Sequence, residues 1–160
     1  MKVLVSGANG QLGHALRSMV PQHPEHEFTF TDIDELDISN FQAVEKMALT
    51  LQTDVLINCA SYNAVDKAEE EPLAAMRING NAVQGLAGLA RKHGFGLVHI
   101  STDYIFDGKK GSAYTELDEP HPQSKYAHSK YIGEQAMMTS MFFLMLPMIY
   151  LSGFIFPIEN

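Results

Sequence analysis

The sequence has very little cysteine and few positive charges. Cys59 is the single cysteine of 160 residues, so no internal disulfide can form and a reducing, cytoplasmic setting is expected. Lys and Arg number 11 against 19 Asp and Glu, which gives a formal net charge of -8. No basic block is present, so nucleic acid and an anionic membrane are disfavoured as main partners. Met1-Lys2 leads straight into an apolar run, and no signal peptide is expected.

Clustered metal ligands are also missing from the sequence. The seven histidines are scattered and pair neither with one another nor with Cys59, so no metal site is predicted from the residues. Cys59 ends an apolar run and is interpreted as a small core residue rather than a nucleophile. A hydrophobic content of 46% over this length predicts one globular domain with a core of its own.

The opening residues carry the strongest pattern that is present. Lys2 to Val5 reads as a buried parallel strand, and glycines follow at three-residue spacing: Gly7, Gly10 and Gly13. A helical apolar stripe comes next, made of Leu12, Ala15, Leu16 and Met19. Strand, glycine turn and helix are the context of a dinucleotide fingerprint, although an ordinary tight strand–helix turn has the same glycines.

Each glycine has a physical role in such a fingerprint. Gly7 permits the sharp turn, Gly10 lets a pyrophosphate approach the backbone, and Gly13 lets helix and strand pack closely. The helix N-terminus then offers N–H groups to the phosphates. Asp32 follows the apolar run 28–31 about 20 residues later, where an acid would hold the adenosine ribose; the alternative is a solvated turn residue.

Strands and helices are predicted to alternate along the rest of the chain. The predicted strands are 28–31, 55–60 and 97–100, and the predicted helices are 41–51, 72–93 and 124–140. Ser39 with Gln42 forms a capping-box pattern before the second helix, and loops are predicted over 61–71 and 103–123. The expected fold is therefore α/β, a Rossmann-type doubly wound parallel sheet in three α/β/α layers.

Tyr126 and Lys130 are four residues apart on a predicted helix and share a face. A free phenol has a pKa of about 10, and a nearby ammonium favours the phenolate. The pair is therefore a candidate for proton transfer, and a surface pair is the alternative.

The chain resembles the extended short-chain dehydrogenase/reductase superfamily, and within it the dTDP-4-dehydrorhamnose reductase family. The resemblance is carried by these segments: Gly-Ala-Asn-Gly-Gln-Leu-Gly (7–13), Leu-Asp-Ile (36–38), Ala-Val-Asp-Lys-Ala-Glu (64–69), Ser-Thr-Asp-Tyr-Ile-Phe-Asp-Gly (101–108), and Tyr126 with Lys130 before Gly133-Glu134. It implies NADH- or NADPH-dependent reduction of a 4-keto sugar linked to dTDP. It also implies a homodimer and Mg²⁺.

The resemblance also implies roles for individual residues. Tyr126 would protonate the ketone oxygen, Lys130 would tune Tyr126 and hold the nicotinamide ribose, and Thr102 would assist. Thr102, Asp103 and Tyr104 would contact substrate. The implied cofactor-binding residues are Gly7, Gly10, Gln11, Leu12, Gly13, Asp32, Asp37, Ile38, Ala60, Ser61, Tyr62, Asn63, Tyr126 and Lys130. Asp32 would meet the adenosine ribose and Asp37-Ile38 the adenine, while 61–63 departs from the family's usual Ala-Tyr/His-Thr.

The C-terminal segment departs from the family pattern. Residues 141–158 carry no charge and are rich in Met, Phe, Leu and Ile. Pro147 and Gly153 interrupt the run, so a buried strand near 142–150 is favoured over a membrane span. We therefore predict a dinucleotide-binding domain over 1–140 and a divergent apolar segment over 141–160, with the family's substrate domain lacking. Two further functions stay open: a non-catalytic dinucleotide-binding module and a sugar-nucleotide epimerase.

Overall fold

A computed structural model describes residues 1–140, and a four-stranded parallel sheet forms their centre. The strands are β1 (Lys2–Ser6), β2 (Glu27–Thr31), β3 (Val55–Asn58) and β4 (Gly96–His99). Their order across the sheet is β2-β1-β3-β4, and every neighbouring pair is parallel. The direction of winding reverses between β1 and β3, which is where a ligand crevice is expected in such a sheet.

Helices connect the strands and cover the sheet. They are α1 (Gln11–Met19), α2 (Phe41–Leu51), α3 (Val65–Glu70), α4 (Pro72–Ala75), α5 (Val83–His93) and α6 (Lys125–Ser140). A π-helical stretch, Met76–Ala82, joins α4 to α5, so the helix predicted over 72–93 is continuous. Short 3₁₀ turns occupy Val20–Gln22 and Asp103–Ile105. The predicted Rossmann-type α/β fold is confirmed.

The two faces of the sheet pack against different helices. Leu4 and Leu56 are fully buried on one face, in a core cluster with side chains of α2 and α5. Side chains alternate along a strand, so Val5 and Phe30 point to the opposite face, where Arg17 of α1 lies over the Phe30 ring. Helices therefore flank both faces, as the three-layer prediction requires.

Two local predictions are wrong. The segment predicted as a loop over 61–71 contains α3, because Val65 and Ala68 form a helical face that packs against Tyr126. The predicted capping box is displaced by one residue: Asn40 is the N-cap of α2, and its side chain accepts the N–H of Ala43. Ser39 instead donates its hydroxyl to Asp37.

Helix α1 is present as predicted, but its apolar stripe is not its buried side. Gly13 is the buried residue of that helix, whereas Leu12 and Met19 are exposed. The reason is the close approach at Gly13, where an added Cβ would lie 2.5 Å from the Ala8 backbone. Helix α1 therefore lies closest to the end of β1 at Gly13, and not at its apolar residues.

Some expectations concern membrane crossing and the end of the chain. Among residues 1–140, no helix combines the length and the apolar character that a bilayer crossing needs. The strand predicted near 142–150 lies outside the described residues.

Candidate functional site

The glycine loop lies where β1 and β3 end side by side. Gly7 has φ +69°, a left-handed conformation that favours glycine. An added Cβ at Gly7 would lie 2.4 Å from the backbone N of Ala60, so the two strand ends are in close contact there. The loop and the segment after β3 thereby form two neighbouring sides of the crevice between these strands.

The N-terminus of α1 suits an anionic ligand. Gly10 is the N-cap in an extended conformation, and no side chain caps the helix. Gln11 and Leu12 follow in the first turn, and both are exposed. An uncapped helix start leaves backbone N–H groups and the positive end of the helix dipole for a phosphate. The residues present therefore fit the pyrophosphate of a dinucleotide.

Asp32 lies directly after β2 and contacts the glycine loop. Its Oδ2 accepts the backbone N–H of Asn9 at 2.7 Å, and its Oδ1 accepts the N–H of Ile33 at 2.8 Å. The carboxylate is half-buried rather than fully solvated. The structure thus places Asp32, the residue predicted to bind the ribose, beside the glycine loop that is predicted to bind the pyrophosphate.

Asp37 and Ile38 are engaged in contacts within the chain. The carboxylate of Asp37 accepts the N–H and hydroxyl of Ser39 and pairs with Arg77 at 3.1 Å. The Ser39 N–H, the Ser39 hydroxyl and then the Arg77 charge lower the pKa of Asp37. The side chain of Ile38 is buried in the core cluster, so only its backbone remains for a ligand.

The structure brings Tyr126 of α6 together with Thr102, which follows β4. Tyr126 is 9% exposed and lies close enough to Thr102 for that side chain to affect the pKa of its phenol, while the Thr102 hydroxyl donates to the Asp103 carboxylate at 3.3 Å. Thr102 also accepts the N–H of Tyr104 at 3.3 Å, which forms the turn that presents Asp103 and Tyr104. The rings of Tyr104 and Tyr126 meet edge to face, with centroids 6.2 Å apart. The three residues predicted to contact substrate therefore lie beside the predicted acid.

The expected effect of Lys130 on Tyr126 is not observed. The pKa of Tyr126 is raised by burial, and the charge of Asp103 raises it further, while the nearby Thr102 hydroxyl opposes the shift. The Lys130 ammonium instead donates to the carbonyl of Ile100 and lies 3.4 Å from the Ser61 hydroxyl. Oxygen atoms of two other segments therefore bind the ammonium in the structure.

Lys130 is almost completely buried. Its exposed fraction is 2%, and this burial lowers its pKa from 10.5 to about 8, although the Glu134 carboxylate opposes the change. The carboxyl of Glu134 has a raised pKa, also because of burial, and accepts a hydrogen bond from Ser101. A buried lysine with few partners is free to donate to a further acceptor, such as a ribose hydroxyl.

A row of polar side chains crosses the sheet beneath this site and was missed by sequence reasoning. Ser6 donates to Asn58 Oδ1 at 2.8 Å, and the Asn58 amide nitrogen contacts His99 Nδ1 at 3.1 Å. Burial, and then the Lys130 charge, lower the pKa of His99 to about 3, so its imidazole is neutral. Periodicity did not reveal the row because each residue ends its own apolar strand.

Asn79 is a second residue that sequence reasoning missed. It lies in the π-helical stretch, is 1% exposed, and bonds to Ser61 and Tyr62, which were predicted to line the cofactor channel. Asn63, the third residue predicted there, is exposed. The signal that could have found Asn79 is a polar residue on the inward side of a predicted helix.

Within the part of the chain that the structure describes, neither Cys59 nor the acidic side chains are arranged as a metal centre. Burial raises the pKa of the Cys59 thiol to about 11, which fits a half-buried thiol rather than a nucleophile. Within residues 1–140, no group of three or more His, Cys, Asp or Glu side chains is arranged to hold a metal ion.

Comparison with known proteins places this geometry in a family. The family model described as "RmlD substrate binding domain" matches residues 1–145. A dTDP-4-dehydrorhamnose reductase from Aggregatibacter actinomycetemcomitans is 39% identical over 138 residues, which are 86% of this chain and 47% of the relative. The chain thus spans about half the length of the curated relatives that it matches.

Two solved structures extend the comparison. A dTDP-4-dehydrorhamnose reductase from Clostridium acetobutylicum has a TM-score of 0.83 at 42% identity, over 87% of this chain and 49% of its own. One from Bacillus anthracis, in complex with NADP, has a TM-score of 0.82 at 36% identity, over 86% and 49%. The resemblance seen in the sequence is confirmed. Because the matched segment covers most of its length, this chain belongs to the RmlD substrate binding domain family.

Proposed function

We propose that this chain provides the cofactor-binding part and the proton donor of an NAD(P)H-dependent reductase. The reaction is reduction of the 4-keto group of a dTDP-linked 6-deoxy-sugar. The observation that carries the proposal is the largely buried Tyr126 side chain beside Thr102, on the same helix as the buried Lys130. These groups follow β4 and begin α6, so they lie at the carboxyl ends of the strands, where ligands bind in such folds.

The protein's residues have separate roles in the proposed reaction. The reduced nicotinamide supplies a hydride to the ketone carbon. Tyr126 donates its proton to the ketone oxygen, and the product is an alcohol. Burial keeps the pKa of Tyr126 high, so the phenol is protonated at neutral pH and is in the form that an acid needs. The Thr102 hydroxyl, which donates to Asp103 in the structure, would turn to donate to the phenol oxygen as Tyr126 loses its proton.

The cofactor is NADH or NADPH, held along the crevice between β1 and β3. Gly7, Gly10 and the first turn of α1 bind the pyrophosphate, and Asp32 binds the adenosine ribose. The Bacillus anthracis relative was solved with NADP, which supports a nicotinamide dinucleotide of either kind. Lys130 donates to the nicotinamide ribose, because its ammonium is buried and is held at one side by Ile100 and Ser61.

The sugar nucleotide contacts the turn after β4. Thr102, Asp103 and Tyr104 lie on one side of the phenol, and Tyr104 is half exposed there. The relatives named as dTDP-4-dehydrorhamnose reductases support a dTDP-linked sugar as substrate. A cytoplasmic homodimer completes the proposal, while residues 1–140 offer no group of three or more His, Cys, Asp or Glu side chains that fits the implied Mg²⁺.

A second candidate is a dinucleotide-binding module without catalysis. The chain spans about half the length of the relatives that it matches, and this candidate concerns what that part does by itself. Orientation of two reactants can supply roughly 7–11 kcal/mol of the barrier. A site with one side open around the ketone loses much of that contribution, so residues 1–160 alone should reduce little substrate.

The two candidates are separated by one comparison. Purified residues 1–160 are assayed for loss of NADH absorbance with a dTDP-4-keto-6-deoxy-sugar, beside the same residues extended by the C-terminal half of a relative. Turnover by the extended chain alone supports the reductase. Dinucleotide binding with no turnover by either chain supports the non-catalytic module, and equal turnover by both would refute the need for a second half.

A further inference from the structure

Arg77 connects the π-helical stretch to the segment that follows β2. Its Nη2 donates to Asp37 Oδ2 at 3.1 Å and to the Ser39 hydroxyl at 3.0 Å. Asp37 lies in the segment that begins at Asp32, whose carboxylate contacts the glycine loop at Asn9. Arg77 and Asp37 are 40 positions apart in the chain, so their contact links two separate connections between strands.

Three donors hold the Asp37 carboxylate. Ser39 donates its backbone N–H and its hydroxyl to Oδ1 at 2.8 and 2.7 Å, and Arg77 donates to Oδ2. An ionised carboxylate has about four lone-pair positions on its two oxygens. Since these are the donors to it within residues 1–140, about one position remains for a ligand, on the oxygen that Arg77 holds.

The Arg77 side chain lies at the surface, but the backbone that carries it is anchored. Its side chain is 60% exposed, against 33% for Asp37. The next residue, Ile78, packs against the core cluster that contains Ile38, so the stretch is fixed beside the 36–38 segment. An ion pair this exposed adds little to the stability of a fold. Its effect is therefore expected on the direction of the Asp37 carboxylate rather than on folding.

We propose that Arg77 is a positioning residue for the adenine end of the dinucleotide, which orients the Asp37 carboxylate so that its remaining position accepts the exocyclic amine of the base. The inference rests on the proposed function, in which a dinucleotide lies along this crevice, and on the expected contact of Asp37 with adenine. A carboxylate oxygen accepts a hydrogen bond from an amine and repels a carbonyl oxygen. Arg77 acting through Asp37 therefore favours a 6-amino purine over a 6-oxo purine.

The test uses residues 1–160 carrying Arg77→Met or Arg77→Lys, with Arg91→Met as the matched control. Arg91 is exposed in the last turn of α5, just before β4 begins, and so lies at the end of the sheet opposite the crevice. Calorimetry measures the affinity for four ligands: NADH, its hypoxanthine analogue, ADP-ribose and reduced nicotinamide mononucleotide. The hypoxanthine analogue carries an oxygen in place of the adenine amine, and the mononucleotide lacks the adenosine.

We expect Arg77→Met to weaken the binding of NADH and of ADP-ribose about fivefold, the scale of one hydrogen bond, and to leave binding of the mononucleotide unchanged. The preference for NADH over its hypoxanthine analogue should fall by a similar factor. Arg77→Lys should restore part of that preference, because an ammonium can still pair with Asp37. Arg91→Met should change none of these affinities. A residue that only stabilised the fold would weaken all four ligands equally or none of them.

Opposite results overturn the inference. Equal losses for ADP-ribose and the mononucleotide, or a preference between the two bases that is absent or unchanged by Arg77→Met, would show that Arg77 does not orient Asp37 toward adenine. In an Asp37→Asn background, Arg77→Met should cause no further loss, and additive losses would contradict an effect through Asp37. If the unsubstituted chain binds none of the four ligands, the proposed function fails. NMR titration of the Asp37 carboxyl then still decides whether Arg77 holds it, since an unchanged titration in Arg77→Met would show that it does not.

Discussion

Glu69 accepts the backbone N–H of Lys125 at 2.7 Å and so holds the first turn of the helix that bears Tyr126. Glu69 ends the Ala-Val-Asp-Lys-Ala-Glu run, whose Val65 and Ala68 pack against the Tyr126 ring. This segment, which carried part of the family resemblance, therefore packs against Tyr126, the proposed acid, and holds the start of its helix. A carboxylate at a helix start also interacts favourably with the helix dipole.

Replacing Glu69 should loosen this helix start. Glu69→Ala removes the hydrogen bond to Lys125 and should lower the free energy of unfolding by about 1 kcal/mol, the scale of a lost N-terminal cap. Glu70→Ala is the matched control, because it removes the same charge from the exposed neighbouring residue. Urea unfolding measures both, and an equal loss in the two variants would contradict a specific cap.

Asp32 should set the preference between the two dinucleotides. Its carboxylate lies beside the glycine loop, where it would accept ribose hydroxyls and repel a 2′-phosphate, so the chain should bind NADH at least as tightly as NADPH. Asp32→Ser should shift that ratio toward NADPH, whereas Asp34→Asn, at an exposed carboxylate nearby, should not. Fluorescence titration with both cofactors gives the ratio. A tenfold preference of the unsubstituted chain for NADPH would show that Asp32 does not meet the ribose.

Tyr126→Phe should separate catalysis from binding. In the chain extended by a relative's C-terminal half, it should cut turnover by about 10² or more, the usual scale of general acid catalysis. NADH affinity should hardly change, because the ring and its packing against α3 remain. Tyr131→Phe removes a hydroxyl from the same helix and serves as the control. Near-normal turnover by Tyr126→Phe would contradict this role and make Tyr104 the better candidate for the proton donor.

The buried Lys130 should make stability depend on pH. Its pKa falls from 10.5 in the exposed state to about 8 in the fold, so between these values the unfolded chain binds more protons than the folded chain. Stability contributed by this group therefore rises with pH through that window. Relative to Lys130→Met, the unsubstituted chain should gain on the order of 2–3 kcal/mol between pH 7 and pH 10.5, at about 1.4 kcal/mol per pKa unit. A difference that stays constant with pH, in urea unfolding, would refute the shift.

The local spacing of residues in the sequence was enough to predict the strands and helices of the fold. Gly7, Gly10 and Gly13 after an apolar run predicted a strand, a turn and a helix, because those conformations depend on neighbouring residues alone. Alternating apolar segments likewise predicted the parallel sheet and the places where its strands end. Tyr126 and Lys130 were found for the same reason, since four residues make about one helical turn.

Tertiary structure alone decided how the polar groups of the site are connected. The Lys130 ammonium donates to Ile100 rather than toward the phenol, and the Asn79 amide joins Tyr62 to Ser129. These partners lie far apart in the chain. The periodicity of apolar residues in the sequence therefore does not indicate which hydrogen-bonding groups will come into contact. The side of α1 that approaches the sheet was decided in the same way, by the space that Gly13 leaves beside Ala8. A sequence pattern states which residues are buried on average, whereas a buried polar group takes whatever partner the folded chain brings within about 3 Å.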